Sequence, residues 1–154
     1  MRLTIILTLL LSLATFVGCG GSNKNPYGAV YLEGTVTLDG SPMEGISVTL
    51  VPRDGDLSAG GITDAAGKFT VTTGGSAAGT GAKPGEYDVT FYKVELTGQG
   101  LSYEEYQKQF GDKQPETVYL VPKKYESAKT SEIPPITVSS NKADNKFDFA
   151  LSSD

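Results

Sequence analysis

From Ala29 onward the apolar residues recur with a period of two. In Val30 to Leu38, the set Val30, Leu32, Val36 and Leu38 falls on one face and Tyr31, Glu33, Thr35 and Thr37 on the other, the alternation of a half-buried strand. Asp39-Gly40-Ser41-Pro42 supplies turn chemistry, and Ile46, Val48 and Leu50 continue in a second strand that Pro52 ends. A weaker segment, Ser58 to Thr63, runs into Asp64-Ala65-Ala66-Gly67, where the Asp can cap a turn and the Gly can take positive φ. Phe69, Val71 and Thr73 form the returning strand. Beyond a glycine- and alanine-rich loop, Gly74 to Lys83, a further strand carries Tyr87, Val89 and Phe91. Ile136 and Val138 mark a short one, and Phe147, Phe149 and Leu151 the last. Seven short strands with a turn about every eight to twelve residues predict an all-β, antiparallel sandwich.

One stretch breaks this rhythm. Ser102 followed by Glu105 is a capping box, and Gly111 stands beyond the last apolar residue as a stop. Tyr103, Tyr106 and Phe110 share a helical face. The pattern predicts a two-turn helix inserted between strands, its aromatic face packed on the sandwich edge.

The first nineteen residues follow neither period. One arginine, Arg2, precedes Leu3 to Val17, a run without charge. Fifteen helical residues span only about 22 Å, short of the roughly 30 Å of a bilayer's hydrocarbon core, so a secretory signal is expected rather than a transmembrane anchor. Phe16-Val17-Gly18-Cys19 places a small residue directly before the only cysteine of the chain and resembles a bacterial lipobox, with Phe16 where leucine is usual. The resemblance implies that residues 1–18 are a lipoprotein signal peptide and that Cys19 becomes the lipidated mature first residue. The expected localisation is the cell envelope, on a membrane, in the periplasm or on the outer surface. Gly20 to Gly28 would be a flexible tether of roughly 15–20 Å, so that residues 19–28 hold a sandwich of residues 29–154 just off the membrane.

Composition narrows the chemistry. Of 154 residues, 19 are Gly and 8 are Pro, a loop-rich but folding composition. Histidine is absent, which removes the usual general base, nucleophile activator and zinc ligand. The formal charge of −5 argues against nucleic acid as a partner and against attraction to anionic headgroups, so membrane contact is expected through lipid on Cys19. With that thiol lipidated, no disulfide is available.

Several segments carry a further resemblance. Gly34-Thr35-Val36-Thr37-Leu38-Asp39-Gly40 with Pro42 and Gly45, Val48-Thr49-Leu50-Val51-Pro52, Thr63-Asp64 with Gly67-Lys68-Phe69, and Lys83-Pro84-Gly85-Glu86-Tyr87-Asp88-Val89 resemble the transthyretin-like, carboxypeptidase regulatory-like domain. Leu120-Val121-Pro122-Lys123-Lys124-Tyr125, Thr130-Ser131 and Asn145-Lys146-Phe147-Asp148-Phe149 extend the likeness to small lipoproteins of this kind that are abundant in planctomycete bacteria. The resemblance implies a prealbumin-like Greek key of seven strands. The family's enzymatic branch, the hydroxyisourate hydrolases, depends on histidine, so that activity does not carry over. These are turn and core motifs, informative on fold and nearly silent on chemistry.

The candidate sites are few. Asp54, Asp56 and Asp64 have the oxygen chemistry of a calcium site, but their spacing fits no EF-hand loop and Asp is common in turns, so no metal or other cofactor is expected. Lys123, Lys124 and Lys129 with Glu126 and Glu132 read as exposed pairs of little energetic weight. Tyr103, Tyr106, Phe110, Tyr119 and Tyr125 form the candidate ligand or partner face, since tyrosine offers an apolar ring with a polar tip. The functional expectation is a non-catalytic structural or protein-interaction module with an unidentified envelope partner. A carbohydrate- or peptide-binding module that uses the aromatic helix face is the competing one.

Overall fold

The computed structural model describes residue 25, residues 27–74 and residues 80–154. The segment expected to be a signal peptide, Cys19 and most of the expected tether lie outside the described residues. What is described is mostly β, with largely antiparallel sheets and one α-helix.

The first hairpin joins β1 (Glu33–Leu38) to β2 (Ser41–Pro42). Asp39 and Gly40 both have positive φ, 51° and 80°, the two-residue turn whose twist matches that of the flanking strands. β3 (Ser47–Pro52), β4 (Ala59–Ile62), β7 (Gly85–Tyr92) and β10 (Ile136–Val138) form a sheet in the order β10-β7-β3-β4, with β6 (Thr72–Thr73) at its edge beside β4. β5 (Lys68–Thr70) and β11 (Lys146–Leu151) flank β1 in the other sheet. β8 (Val94–Leu96) and β9 (Thr117–Tyr119) pair only with each other. Helix α1 (Tyr103–Phe110) lies between them in sequence.

Two features differ from the sequence expectation. The returning strand Phe69 to Thr73 is two strands: β5 pairs with β1 and β6 with β4. The chain changes sheet at Val71, which is fully buried and whose carbonyl accepts the Gly81 N–H at 2.6 Å. The second difference is at the C-terminus, where β11 runs parallel to β1, with Glu33 opposite Lys146 and Leu38 opposite Leu151. The other pairings are antiparallel. A parallel neighbour needs a crossover, here supplied by the whole body of the domain. With β2, β8 and β9 also present, the described residues hold eleven strand segments rather than seven.

The core forms where the inward positions of the two sheets meet. Leu32, Val36, Val48, Leu50, Val89 and Phe91 are all at most 1% exposed, as their alternation predicts. Phe91 and Phe149 come from opposite sheets and meet at 5.1 Å in an edge contact, and Tyr125 meets Phe91 at 6.4 Å, the edge-to-face arrangement aromatic quadrupoles favour. Gly34 lies opposite both Phe147 and Phe69. A β-carbon there would sit 2.2 Å from the Phe147 carbonyl oxygen and 2.7 Å from the Phe69 ring, so only glycine allows both neighbours to close on β1.

Candidate functional site

The predicted aromatic face does not assemble. Tyr125, in a 3-10 turn over Lys123–Tyr125, is 3% exposed, packs on Phe91, and its hydroxyl oxygen accepts the Ser152 N–H at 3.0 Å. It belongs to the core and cannot present a surface. Tyr103 is 77% exposed. Tyr106 and Phe110 are half-buried, 5.0 Å apart, and lie over Gly98, with the Tyr106 hydroxyl donating to the Lys113 carbonyl at 3.1 Å. The two rings, an i, i+4 pair, thus meet each other, Gly98 just after β8 and the Lys113 carbonyl before β9, all within the β8–β9 arm rather than on the sandwich edge. Tyr119 lies on β9, with the Lys123 ammonium 4.2 Å from its ring centre, a cation–π contact.

The helix itself follows its sequence signals. The Ser102 hydroxyl accepts the Glu105 N–H, and the Glu105 carboxylate accepts the Ser102 N–H at 2.9 Å. The Ser102 hydroxyl also donates to the Glu105 carboxylate at 2.7 Å, and this bond first, then the Ser102 N–H, holds the Glu105 carboxyl below its ordinary range. Gly111, at φ 63°, returns its N–H to the Gln107 carbonyl.

The three aspartates are occupied by turns and a lysine. Asp64 accepts the Ala66 and Lys68 N–H groups at 2.8 and 2.9 Å, Asp54 accepts the Asp56 N–H at 3.1 Å, and Asp56 pairs with Lys83. Lys83 and then the Leu57 N–H hold the Asp56 carboxyl low. Among the basic residues near the C-terminus, Lys124 approaches Glu132 at 3.7 Å and donates to the Asp154 carbonyl.

Sequence reasoning missed a groove. On the outer face of β11, β1 and β5, a groove of about 540 Å³ is lined by Tyr31, Glu33, Thr35, Lys68, Lys146 and Asp148, with Ile62 at its rim. The polar half of the period-two pattern carries it: Glu33 stands opposite Lys146, and Thr35 opposite Asp148. Lys146 Nζ lies 2.9 Å from Glu33 Oε1, the Tyr31 hydroxyl donates to Glu33 Oε2 at 2.9 Å, and the Thr35 hydroxyl donates to Asp148. Lys146 foremost, then Tyr31, pulls the Glu33 carboxyl below its ordinary range, while the bond to Glu33 raises both the Tyr31 phenol and the Lys146 ammonium. A carboxylate held ionised in this way is a poor proton carrier at neutral pH. The groove's chemistry is that of a charged, hydrogen-bonded surface.

Two further positions were invisible in the pattern. Fully buried Asn145 accepts the Ser139 N–H at 2.8 Å and donates to the Ser139 carbonyl at 2.9 Å and the Tyr31 carbonyl at 3.4 Å. Thr63 accepts the Ile46 N–H at 2.8 Å and donates to the Met43 carbonyl at 2.7 Å.

No family model matches the chain, and no curated protein matches it. Among solved structures it is similar to the major pilin subunit of Bacillus cereus, a distant β-rich neighbour at 13% sequence identity and a TM-score of 0.40. The match covers 80% of this chain and 29% of that one, so the chain spans less than a third of the pilin subunit's length.

Proposed function

We propose that the chain is a lipid-anchored cell-envelope protein whose transthyretin-like sandwich acts as a non-catalytic structural or protein-interaction module. The observation that carries this reading is the sole cysteine, Cys19, directly after Gly18 and an uncharged run. The body begins a short tether later, where Val30 and Ala82 exchange backbone bonds at 2.7 and 3.0 Å. The fold reading is supported by counting β5 and β6 as one bent strand and β2 as the return of the first hairpin. The sandwich then consists of β1, β3, β4, β5 with β6, β7, β10 and β11, a seven-stranded set of prealbumin type.

Two things favour surfaces over catalysis: the chain has no histidine, and the groove's Glu33 is committed to Lys146 and Tyr31. A carbohydrate or peptide platform on the helix is the weaker reading, because Tyr125 is in the core and Tyr106 is tied to the Lys113 carbonyl. Mass spectrometry of membrane-extracted protein tests the anchor. The expected mature N-terminus is a lipid-bearing Cys19, and Cys19→Ser should leave the membrane fraction. A mature terminus elsewhere, or a Cys19→Ser chain still held by the membrane, would overturn the proposal.

A further inference from the structure

The β8–β9 arm has two edges of unequal character. The Thr97 N–H donates to the Glu116 carbonyl, and the Leu120 N–H to the Lys93 carbonyl. In an antiparallel ladder these bonds fix which residues face inward. Glu116, Val118 and Leu120 turn their backbone groups toward β8, and Thr117 and Tyr119 turn theirs away. On the β8 side the outward residues are Val94, which is half-buried, and Leu96, and Leu96 is closed: its N–H donates to the Gln99 side-chain oxygen at 3.2 Å, and its carbonyl accepts the Gln99 N–H at 2.9 Å. On the β9 side the outward N–H and C=O of Thr117 and Tyr119 have no partner among the described residues. All three residues of β9 are exposed, Val118 at 45% and Tyr119 at 39%, and none is charged. An uncovered, uncharged edge of β-favouring residues is a template for another strand.

We propose that this edge pairs with β9 of a second copy of the chain. The strand is self-complementary about Val118. In an antiparallel arrangement Thr117 faces the second copy's Tyr119 and Tyr119 its Thr117, so four backbone hydrogen bonds use all four outward groups on each side. Val118 then meets its own symmetry mate on the two-fold axis, as an isologous contact requires. No charge repels on β9, and the segment 93–124 holds five lysines against five acidic residues, whereas the whole chain is at −5.

The arm is also free of the anchor. Tyr27, at the tether, lies by Gly74, Asp56 and Lys83, near the start of β7, whereas the arm leaves from the other end of that eight-residue strand, about 25 Å away. The interface is smaller than that of a stable dimer, so a weak, reversible pair is expected. This deepens the interaction-module reading and rests on it for biological role alone; the geometry is independent of Cys19.

The test is disulfide cross-linking of the full chain in its membrane fraction. Across a non-hydrogen-bonded pair the Cα atoms at position 118 would be about 4.5 Å apart, within disulfide reach. At position 95, on the far strand of each arm, they would be three strand spacings apart, about 14 Å. Under mild oxidation Val118→Cys should give a dimer, and Glu95→Cys and the unchanged chain, whose only cysteine is Cys19, should not. Val118→Cys that stays monomeric, or that cross-links no better than Glu95→Cys, would overturn the proposal. In a second measurement, sedimentation of the detergent-solubilised chain should show a concentration-dependent dimer that Tyr119→Pro weakens about tenfold or more, since each dimer loses two hydrogen bonds. The Tyr119 N–H faces away from β8, so proline leaves the arm's own ladder intact. Unweakened association in a Tyr119→Pro chain with an unchanged circular dichroism spectrum would count equally against β9 pairing; if the spectrum changes, the cross-link decides.

Discussion

Replacing Asn145 by alanine should cost far more stability than its single side chain suggests. Its amide is fully buried and bridges three places: the N–H and the carbonyl of Ser139, just past β10, and the carbonyl of Tyr31, just before β1. The two bonds to Ser139, at 2.8 and 2.9 Å, count in full, and the third, at 3.4 Å, is long and counts little. Each good bond is worth about 1 kcal/mol net, and a backbone group left without a partner costs about 1–3 kcal/mol. Ser139 is only half-buried, so water recovers part of that loss. The sum is about 2–4 kcal/mol, a large share of the roughly 5–15 kcal/mol available to such a domain, and it should lower the melting temperature by about 10 °C.

Urea unfolding followed by circular dichroism reads this as a lower midpoint at unchanged slope. A second variant checks the cause. Asn145→Asp keeps the acceptor for the Ser139 N–H but turns a second oxygen toward two carbonyls. Burial and those carbonyls favour the protonated acid, so its folded pKa lies above its unfolded one and the folded state binds the extra proton. Stability then falls as pH rises from the unfolded carboxyl range toward the folded value. The deficit of Asn145→Asp should be small near pH 4 and larger at pH 7. An Asn145→Ala protein within about 0.5 kcal/mol of the parent, or an Asn145→Asp deficit independent of pH, would refute the reasoning.

Gly34→Ala should destabilise by about 1–3 kcal/mol or more in the same assay, because its β-carbon would overlap the Phe147 carbonyl and the Phe69 ring. Thr63→Val, close in shape, removes the bonds to Ile46 and Met43 and should cost about 1–3 kcal/mol. Tyr106→Ala should leave global unfolding nearly unchanged, whereas hydrogen exchange in β8 and β9 should rise, since the ring meets Phe110, Gly98 and the Lys113 carbonyl within the arm; a loss of about 2–4 kcal/mol, as for a core ring, would show that the helix supports the sandwich. A carboxyl NMR titration should place Glu33 below its ordinary range and move it upward in Lys146→Ala. Its folded pKa is depressed, so its stabilising pair is present above the unfolded carboxyl range and is lost as pH falls through the folded value.

The elements legible in the sequence are those whose signals are local. The Asp64–Gly67 turn, the Ser102–Glu105 capping box and the inward faces of β1, β3 and β7 each depend on neighbours a few residues apart. The missed elements depend on distant partners. Phe69 and Thr73 share one face in the alternation, yet β5 pairs with β1 and β6 with β4, a choice that no local period encodes. β8 and β9 are three residues each, too short to display a period. Tyr125 follows two lysines and reads as surface, but the 3-10 turn aims its ring at Phe91. Asn145 stands in a polar stretch where only the meeting of three backbone segments gives it work.

That meeting bears on where the protein can interact. With the switch at Val71, the two sheets form one continuous ribbon that runs from β11 through β1, β5 and β6 to β4, β3, β7 and β10. Its ends, β11 and β10, would be open edges, and open edges invite association. Both ends are held by side chains from the connecting segments: Asn145 ties the end of β10 to the start of β1, and the Tyr125 hydroxyl takes the Ser152 N–H just beyond β11. On the arm, Gln99 closes Leu96 on the β8 edge by the same kind of contact. β9 has no such guard. β9, where both outward residues lack a backbone partner among the described residues, is therefore the edge least guarded against strand pairing, and it lies at the end of β7 away from Tyr27.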